Sequence, residues 1–204
     1  MRTTHRHVEP GSTVSDRTLT AVSGNQVAVP DPDHLMHLQF RRFAGCPVCN
    51  LHLRSVVRRH REIEAAGVCE VVVFHSPAEE LLPHTTDLPF AVIADPDKRL
   101  YAEFGVERSP RALLDPRAWL PIVRAILSGV REIARGRGHL PSTSPAGGRL
   151  GLPADFLITP DGRVVAAKYG EHVNDQWSVD ELLGRASRVP RDPKVMTDRA
   201  SYTE

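Results

Sequence analysis

Apolar side chains recur along this chain with two spacings. Over residues 35–43 they alternate, with Met36, Leu38 and Phe40 against His37, Gln39 and Arg41, the period of a strand with two unlike faces. Residues 69–74 form a near-continuous apolar run, which suits a parallel strand covered on both sides. Between these runs, Cys49, Leu53, Val56, His60 and Ile63 fall at helical spacing and predict a helix over roughly 47–66 that stops near Gly67. Arg54, Arg58 and Arg61 form a separate stripe on it. Residues 18–22 and 26–29 predict a short hairpin about Gly24-Asn25. Residues 89–94 predict another strand, punctuated by Asp95-Pro96-Asp97. A short helix through Leu100, Tyr101 and Phe104 then ends at Gly105. Residues 156–158 and 164–168 flank Pro160-Asp161-Gly162 as a final hairpin. Ser178-Val179-Asp180-Glu181 is a capping box for the last helix, with Trp177 placed to staple onto Leu182.

An insertion spans about 110–150. Asp115-Pro116 has the form of a helix cap and first helical residue. Trp119, Val123, Ile126, Leu127, Val130 and Ile133 then make an amphipathic stripe, with Arg124, Arg131, Arg135 and Arg137 off it. Pro121 marks either a kink or the true start. Three roles fit the stripe: packing on the domain, which ranks first, capping a site on the domain, or a homodimer contact. Residues 141–148 are a Pro/Ser/Gly linker. The polar ends, 1–15 and 189–204, are expected to be disordered tails around a domain at 16–188. The element order predicts the α/β class. Its form is a thioredoxin-like fold with an N-terminal β-hairpin extension and a helical insertion before the last β-hairpin.

Composition narrows the function classes. The 204 residues are 41% hydrophobic and 25% charged, ordinary for a globular domain. A net charge of +1 makes no case for nucleic acid. No run approaches the ~20 apolar residues of a membrane span, and the N-terminus lacks an apolar signal core. The expectation is a cytoplasmic protein with no nucleic-acid or membrane partner. Three cysteines are too few for a disulfide scaffold.

Two of them stand in Cys46-Pro47-Val48-Cys49, between a predicted strand and a predicted helix. Pro47 suits the first helical position. Cys46 then lies at a helix N-terminus, where unpaired amides and the positive end of the dipole favour a thiolate. A CxxC beside a βαβ pattern without a secretory signal points to a thioredoxin-like redox site. Cys46 is the expected nucleophile, exposed at the helix start, and Cys49 resolves from the buried face one turn on. With a disulfide the intermediate is a mixed disulfide; with a peroxide it is a sulfenic acid. Arg42, just before the site, is a candidate for lowering the thiol pKa or holding an anionic substrate. Arg41 shares that placement. His75, at a strand's C-terminal end, is a loop histidine or a proton shuttle. Cys69 is expected in the core. Asp155 and Glu171 have no second carboxylate near them in sequence, so no paired acid chemistry is assigned. His52 extends the motif to Cys46-x-x-Cys49-x-x-His52. A non-catalytic module such as a copper or zinc chaperone, with His172 as a further ligand, is the alternative. No metal is assigned. No flavin or nicotinamide motif is visible, and no cofactor is expected.

Phe43-Ala44-Gly45-Cys46-Pro47-Val48-Cys49, Ala94-Asp95-Pro96-Asp97 with Phe104-Gly105-Val106, and Phe156-Leu157-Ile158-Thr159-Pro160-Asp161-Gly162 together resemble the AhpC/TSA peroxiredoxin-like proteins. The resemblance is to the branch with a CxxC, and it covers about 18–185. It implies a thiol-based redox enzyme that reduces a disulfide or peroxide-type substrate and is recharged by a thioredoxin-like protein or a small thiol. Two features depart from the peroxiredoxin pattern, the motif before the cysteine and the late arginine. Phe43 and Gln39 stand at the Thr and Pro places before the cysteine, and Pro153 stands where an Arg is usual. Thioredoxin-like disulfide reductases carry a cis-proline at that last place, packed against the cysteines. The resemblance therefore implies a cis Leu152–Pro153 bond, with Pro153 supporting the site, and it shifts weight towards dithiol–disulfide exchange.

Overall fold

The computed structural model describes residues 7–106, 116–134, 148 and 151–190. The chain opens with a hairpin of β1 (Arg17–Thr20) and β2 (Gln26–Val29), paired antiparallel. There follow β3 (Leu35–Phe40), α1 (Pro47–Arg58), α2 (His60–Ala65), β4 (Val68–Phe74), α3 (Ala78–Thr85), β5 (Ala91–Ala94) and α4 (Arg99–Glu103). The insertion helix α5 (Pro116–Ala134), β6 (Ala154–Ile158), β7 (Val164–Tyr169) and α6 (Val179–Ala186) complete the order.

β3 lies at the centre of a sheet ordered β5-β4-β3-β6-β7. It pairs parallel with β4 and antiparallel with β6, with Gln39 opposite both Val72 and Asp155. β4 also pairs parallel with β5. Its apolar run, buried from Glu70 to Phe74, is what such a doubly covered strand requires. One face of β3 sends Met36, Leu38 and Phe40 into a core with Val71, Val73, Phe104 and Phe156. The opposite face was expected to be merely polar. It is buried as well, beneath α1 and the Trp177 segment, and its residues pair with one another.

The single helix expected over 47–66 is two. Arg59, with φ −112° and ψ 17°, separates them, and its guanidinium bonds Glu62 at 2.8 Å and Asp180 of α6 at 2.6 Å. The capping box at Ser178 forms in both directions. Trp177 and Leu182 share a buried cluster with Val56, Ile63 and Leu157. Asp95, expected only to end a strand, accepts from the amides of Arg99, Leu100 and Tyr101 and so holds the start of α4.

The tail expected over 1–15 is ordered where it is described. The Gly11 amide donates to the Val164 carbonyl and the Val14 amide to that of Gly162, both at 2.8 Å. Val14 is buried, and His7 stacks on Tyr169. A polar composition concealed a segment whose backbone covers the edge of the sheet at β7. Gly162, at φ +82°, leaves no room for a side chain there: a Cβ would lie 2.7 Å from the Val14 carbonyl. Residues 1–6, the linker at 141–147 and the end at 191–204 lie outside the described residues, as does Asp115.

Candidate active site

Cys46 is the N-cap residue of α1 and Pro47 opens the helix, as its missing N–H and fixed φ allow. The preceding loop is held by two bonds. The Cys46 amide donates to the Phe43 carbonyl at 3.1 Å, and the Ala44 amide donates to Ser76 Oγ at 3.0 Å. Gly45 takes φ +70° in this turn.

Both thiols are buried, Cys46 at 1% and Cys49 at 3% exposure. This corrects the expected exposed nucleophile. The reason is the cover: Phe43, Ala44, Val48, Leu53 and Val173 pack around the pair, and α5 adds Ala125 and Ile122. Arg42, itself buried, donates from Nη1 to Cys46 Sγ at 3.7 Å. The two thiols titrate as one system. Burial pushes Cys46 well above the ordinary thiol range, and the bond and charge of Cys49 add to this. Burial also works against a Cys49 thiolate, but the bond from Cys46 and the charge of Arg42 bring Cys49 down to about 6. The reduced pair thus holds one proton between two sulfurs near neutral pH, with the negative charge under Arg42.

Gly151 adjoins this pocket. A Cβ there would lie 3.1 Å from His75 Nε2 and 3.8 Å from Arg42 Cγ. His75 is buried between that segment and the ring of Tyr101. Leu152 packs in the same cluster as the cysteines. The Leu152–Pro153 bond is trans, which corrects the cis expectation; the cis bond among the described residues is Val29–Pro30. The trans chain runs extended into β6, so that the Pro153 carbonyl accepts from the Gly170 amide at 2.9 Å and its ring lies on Gly170.

Beneath the dithiol lies a network that sequence reasoning missed. His37 places Nδ1 2.9 Å from Glu70 Oε2 and Nε2 3.3 Å from Asp155 Oδ1, all three fully enclosed. Gln39 donates to Glu70 and accepts from Arg41. Arg41 donates to Asp155 Oδ1 at 2.7 Å and lies 3.2 Å from His52 Nε2. The Trp177 amide donates to Asp155 Oδ2 at 3.1 Å. Burial alone would lower His37, but the charge of Glu70 and the bonds to Asp155 and Glu70 hold it at about 9. Burial works against the Asp155 carboxylate, yet Arg41 and His37 keep it well below the ordinary range. Burial and the charge of Arg41 push His52 down to about 3, so it stays neutral. Asp155 therefore does sit near a second carboxylate, with His37 between them. The signal was available: a polar face on the strand leading into a CxxC belongs to a central strand, where polar groups must find partners.

His52 turns into this network, and the His172 ring accepts from the Asn174 amide at 3.3 Å. Among the described residues no group of three or more His, Cys, Asp or Glu is placed to hold a metal ion. Cys69 is half-buried on β4 and packs against the core, and burial with the charge of Asp31 pushes its thiol up to about 12, which disfavours the thiolate.

Residues 55–172 match the family model described as AhpC/TSA antioxidant enzyme, a segment that begins just after the cysteine pair. No curated protein matches the chain. Among solved structures, Peroxidoxin BcpB from Mycobacterium tuberculosis superposes with a TM-score of 0.62 at 16% identity, over 91% of this chain and 100% of that one. A protein described as a thiol:disulfide interchange protein DsbE, from Chlorobium tepidum, gives 0.50 at 16% identity over 78% and 84%. The reduced 2-Cys Peroxiredoxin of Plasmodium vivax gives 0.59 at 13% over 88% and 81%. At such identities these likenesses establish the thioredoxin-like fold. Among the described residues no helix is long and apolar enough to cross a membrane.

Proposed function

This chain belongs to the AhpC/TSA antioxidant enzyme family, and from that premise we propose that it is a thiol-based redox enzyme whose Cys46/Cys49 dithiol reduces a disulfide or a peroxide-type bond. The observation that carries this reading is the geometry of the buried pair: Cys46 caps the N-terminus of α1, Cys49 lies one turn on, and Arg42 Nη1 stands 3.7 Å from Cys46 Sγ. Such a site stores a thiolate at neutral pH while excluding water and adventitious oxidants.

Cys46 is the attacking sulfur. It ends the loop from Phe43, whereas Cys49 lies one turn deeper, and a shift of that loop uncovers Cys46 first. As it is uncovered, its proton passes to Cys49. With a disulfide, the Cys46 thiolate attacks one sulfur, a protein–substrate S–S bond forms, and the other sulfur leaves as a thiolate and takes up a proton. Cys49, deprotonated in its turn, attacks Cys46, closes the intramolecular disulfide and expels the second thiol. With a hydroperoxide, the thiolate attacks the outer oxygen, the O–O bond breaks and the alkoxide leaves as the alcohol. The resulting sulfenic acid condenses with Cys49, and water leaves. Either cycle oxidises the dithiol by two electrons, which an external dithiol protein or small thiol returns. Arg42 supports the thiolate from the end of β3, and so offers a cation where the Arg expected at the Pro153 place is missing. Pro153 supports the adjoining segment, and Pro47 starts the helix. The chaperone alternative has less support, because His52 is engaged by Arg41.

Stopped-flow oxidation of the reduced protein by an organic hydroperoxide, beside turnover of a small disulfide, tests the proposal. Cys46→Ser is expected to abolish both reactions. Cys49→Ser is expected to keep the first step and accumulate the mixed disulfide or sulfenic acid. Full activity in Cys46→Ser overturns the assignment, and reaction with neither substrate above the rate of a free thiol overturns the function.

A further inference from the structure

The hydrophobic stripe of α5 points the wrong way for a helix that merely packs on its domain. The helix docks through Ile122 and Ala125, into the cluster around the cysteines. Trp119 (62%), Leu120 (59%), Val123 (52%), Ile126 (49%), Leu127 (64%) and Val130 (60%) face water. Large apolar groups are normally scattered singly on a monomer's surface, and a contiguous stripe of six marks a contact.

We infer that this face of α5 is an interfacial helix that holds the protein on an anionic lipid bilayer, lying in the headgroup plane. Charge complementarity selects this occupant. Exposed Arg124 and Arg131 follow one another two turns apart along the stripe, and the helix sequence carries Arg117, Arg124 and Arg131 against one carboxylate, Glu132. An aromatic and aliphatic face bordered by arginines is the pattern of helices seated at the headgroup boundary. A second copy of this chain fits less well. An α5–α5 pairing sets guanidinium groups against guanidinium groups. A stripe one helix wide also presents less than the ~800 Å² per partner of a standard interface. The expectation of no membrane partner rested on the lack of an apolar run long enough to span a bilayer, a criterion that does not bear on a helix lying at its surface. The contact is independent of whether the dithiol is catalytic.

Co-sedimentation of the full chain with phosphatidylcholine vesicles, plain or doped with phosphatidylglycerol, tests it. Binding is expected for doped vesicles and is expected to weaken with salt. The emission of Trp119 should shift to the blue, while Trp177, already 1% exposed, changes little. Arg124→Gln with Arg131→Gln is expected to weaken binding about thirtyfold, at ~1 kcal/mol per arginine. Leu127→Glu, on an exposed position, is expected to weaken it about tenfold or more. Brominated acyl chains should quench Trp119 in the wild-type protein, a readout that does not depend on any variant folding. The inference is overturned if doped vesicles do not bind, if Leu127→Glu binds as wild type does, or if the free protein is a dimer that Leu127→Glu dissociates.

Discussion

Arg42 is the residue on which the chemistry of the dithiol turns. Burial opposes charge on both sulfurs, so the value of about 6 for Cys49 depends on the bond within the pair and on a fixed guanidinium. An opposite charge within a few ångströms lowers a thiol by about one to three pH units. Arg42→Met is therefore expected to raise the thiolate midpoint of the reduced protein by about one to two pH units. The ultraviolet absorbance of the thiolate, followed against pH, measures this. An unchanged midpoint would assign the stabilisation to the bond within the pair and the N-terminus of α1, without Arg42. That an arginine precedes the cysteines was plain from sequence. That Arg42 reaches Cys46 while Arg41 turns to Asp155 follows from their opposite sides on the strand end, and only packing reveals which side holds which partner.

At the scale of elements, the entry to β6 is braced beside the site by the chain that leaves β7. Gly170 follows β7 and lies against Pro153. A Cβ there would meet the Asp175 carbonyl at 2.6 Å and Pro153 Cγ at 2.7 Å, one a backbone atom and the other part of a rigid ring. Gly170→Ala is expected to cost about 1–3 kcal/mol. It should also displace the 151–153 segment that adjoins Arg42 and His75. Urea unfolding gives the first effect, and a slower reaction of Cys46 with hydroperoxide gives the second. A variant as stable as wild type would show that the turn yields. The elements themselves were largely legible, because hairpin turns, a capping box and an apolar β4 are local signals. The break at Arg59 and helix α3, which carries Pro83 in its interior, were not: Asp180 holds Arg59, and Leu81 of α3 packs in the cluster around the cysteines, partners distant in sequence.

Across the whole molecule, stability depends on the ion network under the sheet. His37 is held at about 9, above its ordinary 6.5. Its stabilising contribution is fully present below pH ~6.5 and is lost as pH rises through about 9. The Cys49 shift runs the opposite way over part of that range, so the test belongs in a Cys46→Ser/Cys49→Ser background. There, urea midpoints are expected to fall between pH 6.5 and 9, and His37→Gln to remove that slope. The same substitution leaves Glu70 and Asp155 facing each other without a cation between them. It should cost about 3–5 kcal/mol near pH 6.5, as breaking a buried pair does. A slope that persists in His37→Gln would place the titrating group elsewhere.

The order of periodic segments was enough to determine the α/β class, the thioredoxin-like arrangement and the position of a CxxC at a helix start. Alternation, turn residues and caps act over a few neighbours, and the chain displays them directly. Direction and enclosure were decided only in three dimensions. Whether the polar face of β3 meets water or a second layer depends on its central place in the sheet. Whether the stripe of α5 packs inward depends on which face α1 accepts. Whether Cys46 is exposed depends on side chains from separate stretches of sequence that close over it. Burial is a property of the assembled layers, and no local pattern records which side of an amphipathic element the rest of the molecule will cover.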